Sequence, residues 1–403
     1  MTLEGKFIVI LGNTRFDGFI QSTSFFIARN LAKKNKVFFI EYPFTLKDYI
    51  QQRKGEEVKS RRDDFKITST GIKDTDMPGL KVIVCPPVLP INFLPEGKLY
   101  RAALKFNELL LSSRINKALK SEGVTNFIYI NAFNFHYPGL AKYIKPSYTV
   151  YQCVDPMIVP YDIKHGIQSE NELVKTSNLV ICTSKALYEE KKQQNPNTYL
   201  VPNGADVHHF ATVLDPAVPV HPKLNNVRRP VIGYIGSIER RIDYPLLVAV
   251  VAANADKSFI LAGPHWPEYI PEQLLKAPNV KFIGPVLYDE APQLLKGFDV
   301  AIIPFKKDEV SRTLFPLKLF EYLAAGKPVI STDFNPDLQQ YTEGAVRFAA
   351  DANAFNQAIE AALQDNAPNV VAHRSAVAAN NSWEKRTESF GEIINAQLSP
   401  QMA

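Results

Sequence analysis

Cysteine is scarce in this 403-residue chain: Cys85, Cys153 and Cys182 are the only three. An odd number, in a chain long enough to bury a core without staples, argues against a disulfide framework and for a reducing compartment. Long apolar runs are missing as well. No window reaches the roughly 18 unbroken apolar residues of a membrane-spanning helix, and Phe7 to Leu11 is too short for the apolar stretch of a secretion signal. A cytoplasmic location is expected. Neither a repeat with a period of roughly 20 to 50 residues nor a low-complexity segment is visible. The seven histidines are scattered and no cysteine pair has zinc spacing, so no metal is expected.

What is present is globular in character. Hydrophobic residues make up 46% and charged residues 22%, which excludes disorder, collagen and coiled coil as overall classes. At roughly 100 to 200 residues per domain, the length predicts two domains. The net charge of +5 hides an asymmetry. Residues 1–200 hold 28 Lys and Arg against 19 Asp and Glu, and the rest hold 18 against 22, giving +9 and −4. A basic half attracts nucleic acid, an anionic membrane face or an anionic ligand.

Short β-branched and aromatic runs alternate with helical patterns along the whole chain. In the first half they fall at 7–11, 37–40, 81–85, 127–130, 148–153, 179–183 and 199–201; in the second at 230–235, 258–262, 280–283, 300–304 and 328–331. This alternation predicts an α/β fold with two Rossmann-like, doubly wound parallel sheets in series. The expected division is a first domain over 1–210, a proline-rich linker over 211–229, a second domain over 230–380 and a final helix within 381–403. Ligands of such sheets sit at the carboxyl ends of the strands, so the default site is a cleft between the domains.

Three segments carry candidate chemistry. The loop from Gly12 to Gly18 lacks the three-glycine dinucleotide spacing, which counts against a dehydrogenase. It still offers Asn13, Arg15, Phe16 and Asp17 at a strand's carboxyl end. In the second half, Gly233-Tyr-Ile-Gly236-Ser237 runs from a strand into a glycine turn followed by Arg240 and Arg241, a place where backbone approaches a phosphate and guanidiniums neutralise it. The strongest signal runs from Leu314 to Ile330: a loop, a helix opened by Pro316 and Leu317, a glycine stop at Gly326 and a strand. Free amides at that helix start, with Lys318 beside them, make an anion site. One turn on, Glu321 shares the face of Lys318 and is able to accept hydrogen bonds from sugar or ribose hydroxyls.

With those residues in hand, the chain resembles nucleotide-sugar glycosyltransferases of the GT-B fold, the group-one transferase class. Gly-Tyr-Ile-Gly-Ser at 233–237, Leu-Ala-Gly-Pro at 261–264, Asn-Val-Lys-Phe-Ile-Gly-Pro-Val at 279–286, Phe-Asp-Val-Ala-Ile-Ile-Pro-Phe at 298–305 and the run from Pro316 carry the likeness. Tyr151 to Asp155, Thr183-Ser184 and Val201 to Asp206 join it from the first half. The resemblance implies a nucleoside diphosphate sugar as donor substrate, with no other cofactor. The donor would be held by the second domain: diphosphate on Lys318 and the helix start, ribose on Glu321, base on the main chain near Val286 and Leu287. The first domain would hold a glycan or lipid-linked acceptor. Trp383 resembles the element after which such chains cross back to the first domain.

The departures narrow the branch. Many retaining members carry a glutamate eight positions before the second one, where this chain has Thr313, and an Arg and a Lys where it has Ser237 and Ile242. The sequence is closer to teichuronic-acid and capsule transferases and, distantly, to the inverting xanthan glucuronosyltransferase. By that likeness Asp155 would be the base, with His136 as its rival. An epimerase of the same fold and a non-catalytic nucleotide- or glycan-binding module remain open. Nucleic acid is not expected as a partner. Peripheral contact with an anionic inner membrane face is, because residues 98–118 place Leu99, Ala102, Ala103, Phe106 and Leu110 on one stripe beside Lys98, Arg101 and Lys105.

Overall fold

The computed structural model describes residues 3–17 and 22–398; Gly18, the far end of the first loop, lies outside them. The chain forms two compact units, one of residues 1–202 with 387–403, the other Asn203–Arg386.

The first unit holds an eight-stranded sheet of β1 (Phe7–Leu11), β2 (Lys36–Ile40), β3 (Ile72–Asp74), β4 (Leu80–Ile83), β5 (Ile128–Ala132), β6 (Tyr148–Cys153), β7 (Leu179–Cys182) and β8 (Thr198–Leu200), in the order β3-β4-β2-β1-β5-β6-β7-β8. All neighbours are parallel except β3, which runs against β4 at the edge. β1 sits at the centre, with Ile8 opposite both Val37 and Ile128. Val9, Ile10 and Leu11 are fully buried, as a strand with helices on both faces requires. β3 gives no signal in the sequence because three residues, none of them fully buried, have no period to detect.

The second unit holds six parallel strands, β9 (Val231–Ile235), β10 (Ser258–Ala262), β11 (Val280–Gly284), β12 (Val300–Ile303), β13 (Val329–Thr332) and β14 (Val346–Ala349), in the order β11-β10-β9-β12-β13-β14. Gly233 lies mid-strand because the Phe298 ring fills its place; a Cβ there would come within 2.1 Å of that ring. Residues 211–229, expected as a linker, lie inside this unit, where two 3-10 turns bury Val213 and Leu224.

The helix Lys98–Ser121 buries Tyr100, Leu104, Leu111 and Ile115, so the stripe of Leu99 and Phe106 faces outward. The helix Trp383–Leu398 crosses the unit boundary. Its Trp383 N–H donates to the Ala205 carbonyl in the second unit, while Phe390 and Ile394 are buried in the first, where Gln397 donates to the Tyr199 hydroxyl at 2.8 Å.

Candidate functional site

Three neighbouring strands of the second sheet end in glycine turns that lean on one another. Gly236 after β9 donates its N–H to Ala262, and Gly263 after β10 donates to Gly284 at the end of β11. Gly236 and Gly263 adopt φ of 146° and 141°, a region that side chains rarely enter. A Cβ on Gly263 would sit 2.1 Å from the Gly236 carbonyl oxygen, and one on Gly236 would sit 2.7 Å from Lys318 Nζ. The bare backbone there is a consequence of packing.

Lys318 stands over that turn from the first turn of the helix Leu317–Ala324. Its Nζ lies 3.3 Å from the Tyr234 hydroxyl and about equally far from the Tyr234 and Phe305 ring centres, at 4.9 and 5.0 Å. Among the described residues no carboxylate is within ion-pair distance of it. Burial, followed by the nearby Arg241 charge, pushes its pKa down to about 8. Pro316 is the residue at the cap position of this helix, and Leu317 is its first helical residue. A proline cap has no side-chain oxygen to offer, so the first-turn amides have no side-chain partner.

Glu321 is half-buried on the next turn. Burial drives its pKa up to about 7; Lys318 pulls it down and Asp206 pushes it further up. Lys318 and Glu321 therefore sense each other without forming the surface ion pair their spacing suggests. Arg240 and Arg241 both turn to Glu239. Ser237 gives its carbonyl to the Tyr234 hydroxyl at 3.0 Å, Ile242 is buried, and Thr313 bonds the Val310 carbonyl. Leu287 is exposed and Val286 half-buried on the loop beyond Gly284.

That loop is fastened by contacts that no sequence motif reveals. Tyr288 donates its hydroxyl to Asp206 at 3.1 Å, stacks on the His209 ring at 4.4 Å, and its carbonyl lies 2.9 Å from His209 Nε2. Tyr322 is another: its hydroxyl takes the Ile235 N–H at 2.8 Å and fixes the end of β9. Tyr234, Phe305 and Tyr322 lie in segments that carry the family likeness, yet nothing in the sequence reveals these contacts.

At the carboxyl end of the first sheet the loop charges are already matched. Arg15 meets Glu57 at 2.8 Å and lies over Phe44, 3.6 Å from its centre. Phe16 packs on Phe25 and Phe39. Asp17 pairs with Arg61, which the buried Glu41 holds from the other side at 2.8 Å. Asn13 is exposed. His136 packs against Phe135 and Tyr42, and burial, then His165, lowers its pKa to about 4. Asp155 is exposed just after β6. Since Ala132 of β5 pairs with Gln152 of β6, His136 and Asp155 both follow the carboxyl ends of these neighbouring strands. Among the described residues no group of three or more His, Cys, Asp and Glu is arranged to hold a metal.

Residues 229–365 match the family model described as glycosyl transferases group 1. A putative teichuronic acid biosynthesis glycosyltransferase, TuaH of Bacillus subtilis (strain 168), is 27% identical over 231 residues; the match takes in 52% of this chain and spans 58% of that relative's length. Among solved structures, sucrose-phosphate synthase from Thermosynechococcus elongatus aligns over 98% of this chain and 100% of its own, with TM-score 0.65 and 16% identity. HepE of Anabaena in complex with UDP and glucose aligns over 97% and 100%, with TM-score 0.63 and 15% identity. Likeness at that level of identity speaks to the fold. The chain thus has the GT-B fold, and its residues 229–365 are similar to group 1 glycosyl transferases.

Proposed function

We propose that this protein is a glycosyltransferase that moves a sugar from a nucleoside diphosphate sugar to a hydroxyl of a glycan or lipid-linked acceptor in cell-surface polysaccharide synthesis. The observation that carries the reading is Lys318: a half-buried cation with no carboxylate beside it, set over a bare glycine turn at an uncapped helix start. A diphosphate supplies the missing counter-charge and takes the free amides. Glu321 accepts the ribose hydroxyls, and the main chain at Val286 and Leu287 receives the base, with the loop held in place by Tyr288. The solved relative that holds UDP and glucose supports a uridine donor.

The transfer is inverting in this reading. An incoming hydroxyl attacks the anomeric carbon, its proton passes to the Asp155 carboxylate, and the bond to the diphosphate breaks. Lys318 and the helix amides stabilise the charge left on the departing diphosphate. No metal takes part, so turnover persists in EDTA. A panel of UDP-, GDP- and dTDP-sugars, screened for thermal stabilisation and for product, tests the assignment. Stabilisation by none of them overturns it, and epimers formed from donor alone would replace it with an epimerase. Asp155→Asn is expected to slow transfer by roughly 100- to 10,000-fold with nucleotide affinity kept; undiminished turnover removes Asp155 as the base.

A further inference from the structure

The first unit carries an apolar surface that the transfer reading does not use. Phe93 is 76% exposed, Leu99 69%, Tyr161 59%, Phe106 53% and Ile167 52%, with Leu109 and Ile163 also outside. They come from three neighbouring pieces: the loop before the helix Lys98–Ser121, that helix, and the helix Pro160–Thr176. The pieces are fixed together beneath the surface. His165 stacks on Tyr100 at 3.6 Å and bonds Glu96 at 2.8 Å. Arg101 donates to Ser169 at 3.2 Å, and Lys164 donates to the carbonyls of Asn92 and Phe93. Exposed apolar side chains gathered on pieces bonded to one another in this way mark a contact site.

Charge selects the occupant. The exposed positions of the helix Lys98–Ser121 include Lys98, Lys105, Lys117 and Lys120 and no carboxylate; those of the helix Pro160–Thr176 up to residue 168 include Lys164 and again none. Nearby Glu96 is occupied by Arg101 and His165. A second copy of the same surface would face it with like charge, whereas a bilayer offers hydrocarbon to the aromatic and aliphatic groups and anionic headgroups to the lysines. Among the described residues no helix is long and apolar enough to cross a membrane, so the contact lies in the interfacial plane.

We infer that the loop at Phe93 and the outer faces of the helices Lys98–Ser121 and Pro160–Thr176 form a docking surface for an anionic lipid bilayer. The inference concerns where the protein sits and does not rest on the transfer reading. Flotation with vesicles of phosphatidylcholine containing about one third phosphatidylglycerol, against pure phosphatidylcholine, tests it at low and high salt. Binding to the anionic vesicles at low salt is expected, with a loss of about fivefold for each of Lys98→Gln and Lys105→Gln, and a larger loss for Phe93→Ser with Leu99→Ser. These side chains are exposed, so folding is kept, and an unchanged melting midpoint confirms it. No flotation at low salt, equal flotation on both vesicles, variants that float like the parent, or a dimer in light scattering that the same variants dissolve would each overturn it.

Discussion

Lys318 in the second unit waits on a tyrosine hydroxyl and two aromatic rings. In the first unit, Arg15 has Glu57 and Arg61 has both Glu41 and Asp17. Both sheets end in loops rich in charge, yet the cation over the second sheet's glycine turn stands without a counter-ion while these two arginines have theirs. Holding such a cation half-buried costs stability, as its depressed pKa records, and a fold carries that cost where a ligand later offsets it. Matched charges in the first unit steady the backbone. In our reading the contrast separates a preformed anion site from a scaffold.

Removing Lys318 strikes the contrast hardest. Lys318→Ala is expected to lower kcat/KM, and the affinity for the nucleoside diphosphate, by about 100- to 1000-fold. Equilibrium titration with UDP checks the second figure without needing an acceptor. Lys318→Arg is expected to bind more weakly as well, because the larger guanidinium must be placed where Lys318 Nζ already lies close against the Gly236 turn.

Alkali offers a milder way to remove the same charge. In the free protein Lys318 loses its proton as pH rises through about 8, so diphosphate affinity is expected to fall above that pH, by up to tenfold per unit. Bound diphosphate draws the proton back, and calorimetry at pH 8.5 in buffers of different ionisation heat should show proton uptake on binding. The sign for folding is opposite. The unfolded lysine holds its proton up to the ordinary value of 10.5, so between about 8 and 10.5 the unfolded state binds more protons and this residue's contribution to stability rises with pH. Affinity that is level from pH 7 to 9.5 would mean that the cation is not the anchor.

Tyr288 separates placement from direct contact. Its hydroxyl holds the loop through Asp206, and Tyr288→Phe keeps the stack on His209 while losing that bond. The expected result is nucleotide affinity weakened by less than tenfold, with discrimination between UDP and GDP weakened alongside it. Equal loss for every nucleotide would assign Tyr288 a purely structural part.

The anion site and the charged loops of the first unit also differ in how far the sequence reveals them. Strands β9 to β13 are short β-branched and aromatic runs between turn residues, and even with Lys281 inside β11 their edges are readable to within a residue or two. β14 is not readable: Arg347 interrupts it, and only its two ends, Val346 and Ala349, are buried. The proposed anion site is legible because it is local. Pro316, Lys318 and Glu321 lie on one short segment and Gly236 announces itself. Gly263 and Asp206 lie in segments that carry the family likeness, but the contacts that tie them, Tyr288 and His209 into the site escape notice because they are tertiary. In the first unit the pairing of Asp17 with Arg61 links residues 44 apart, a separation no periodicity reports.

The same Asp17–Arg61 pair sets the finest test of the contrast. Asp17 is largely exposed on its outer side, and Arg61 keeps the buried Glu41 whatever happens to Asp17. Asp17→Asn therefore leaves the guanidinium satisfied. Stability should change by less than about 1 kcal/mol, the range of exposed pairs, and nucleotide affinity by less than about twofold, since the second unit holds the nucleotide in our reading. Were Asp17→Asn to weaken UDP binding as far as Tyr288→Phe does, the first-unit loop would be part of the donor site, and the division between a waiting cation and a finished scaffold would have to be redrawn around Arg61.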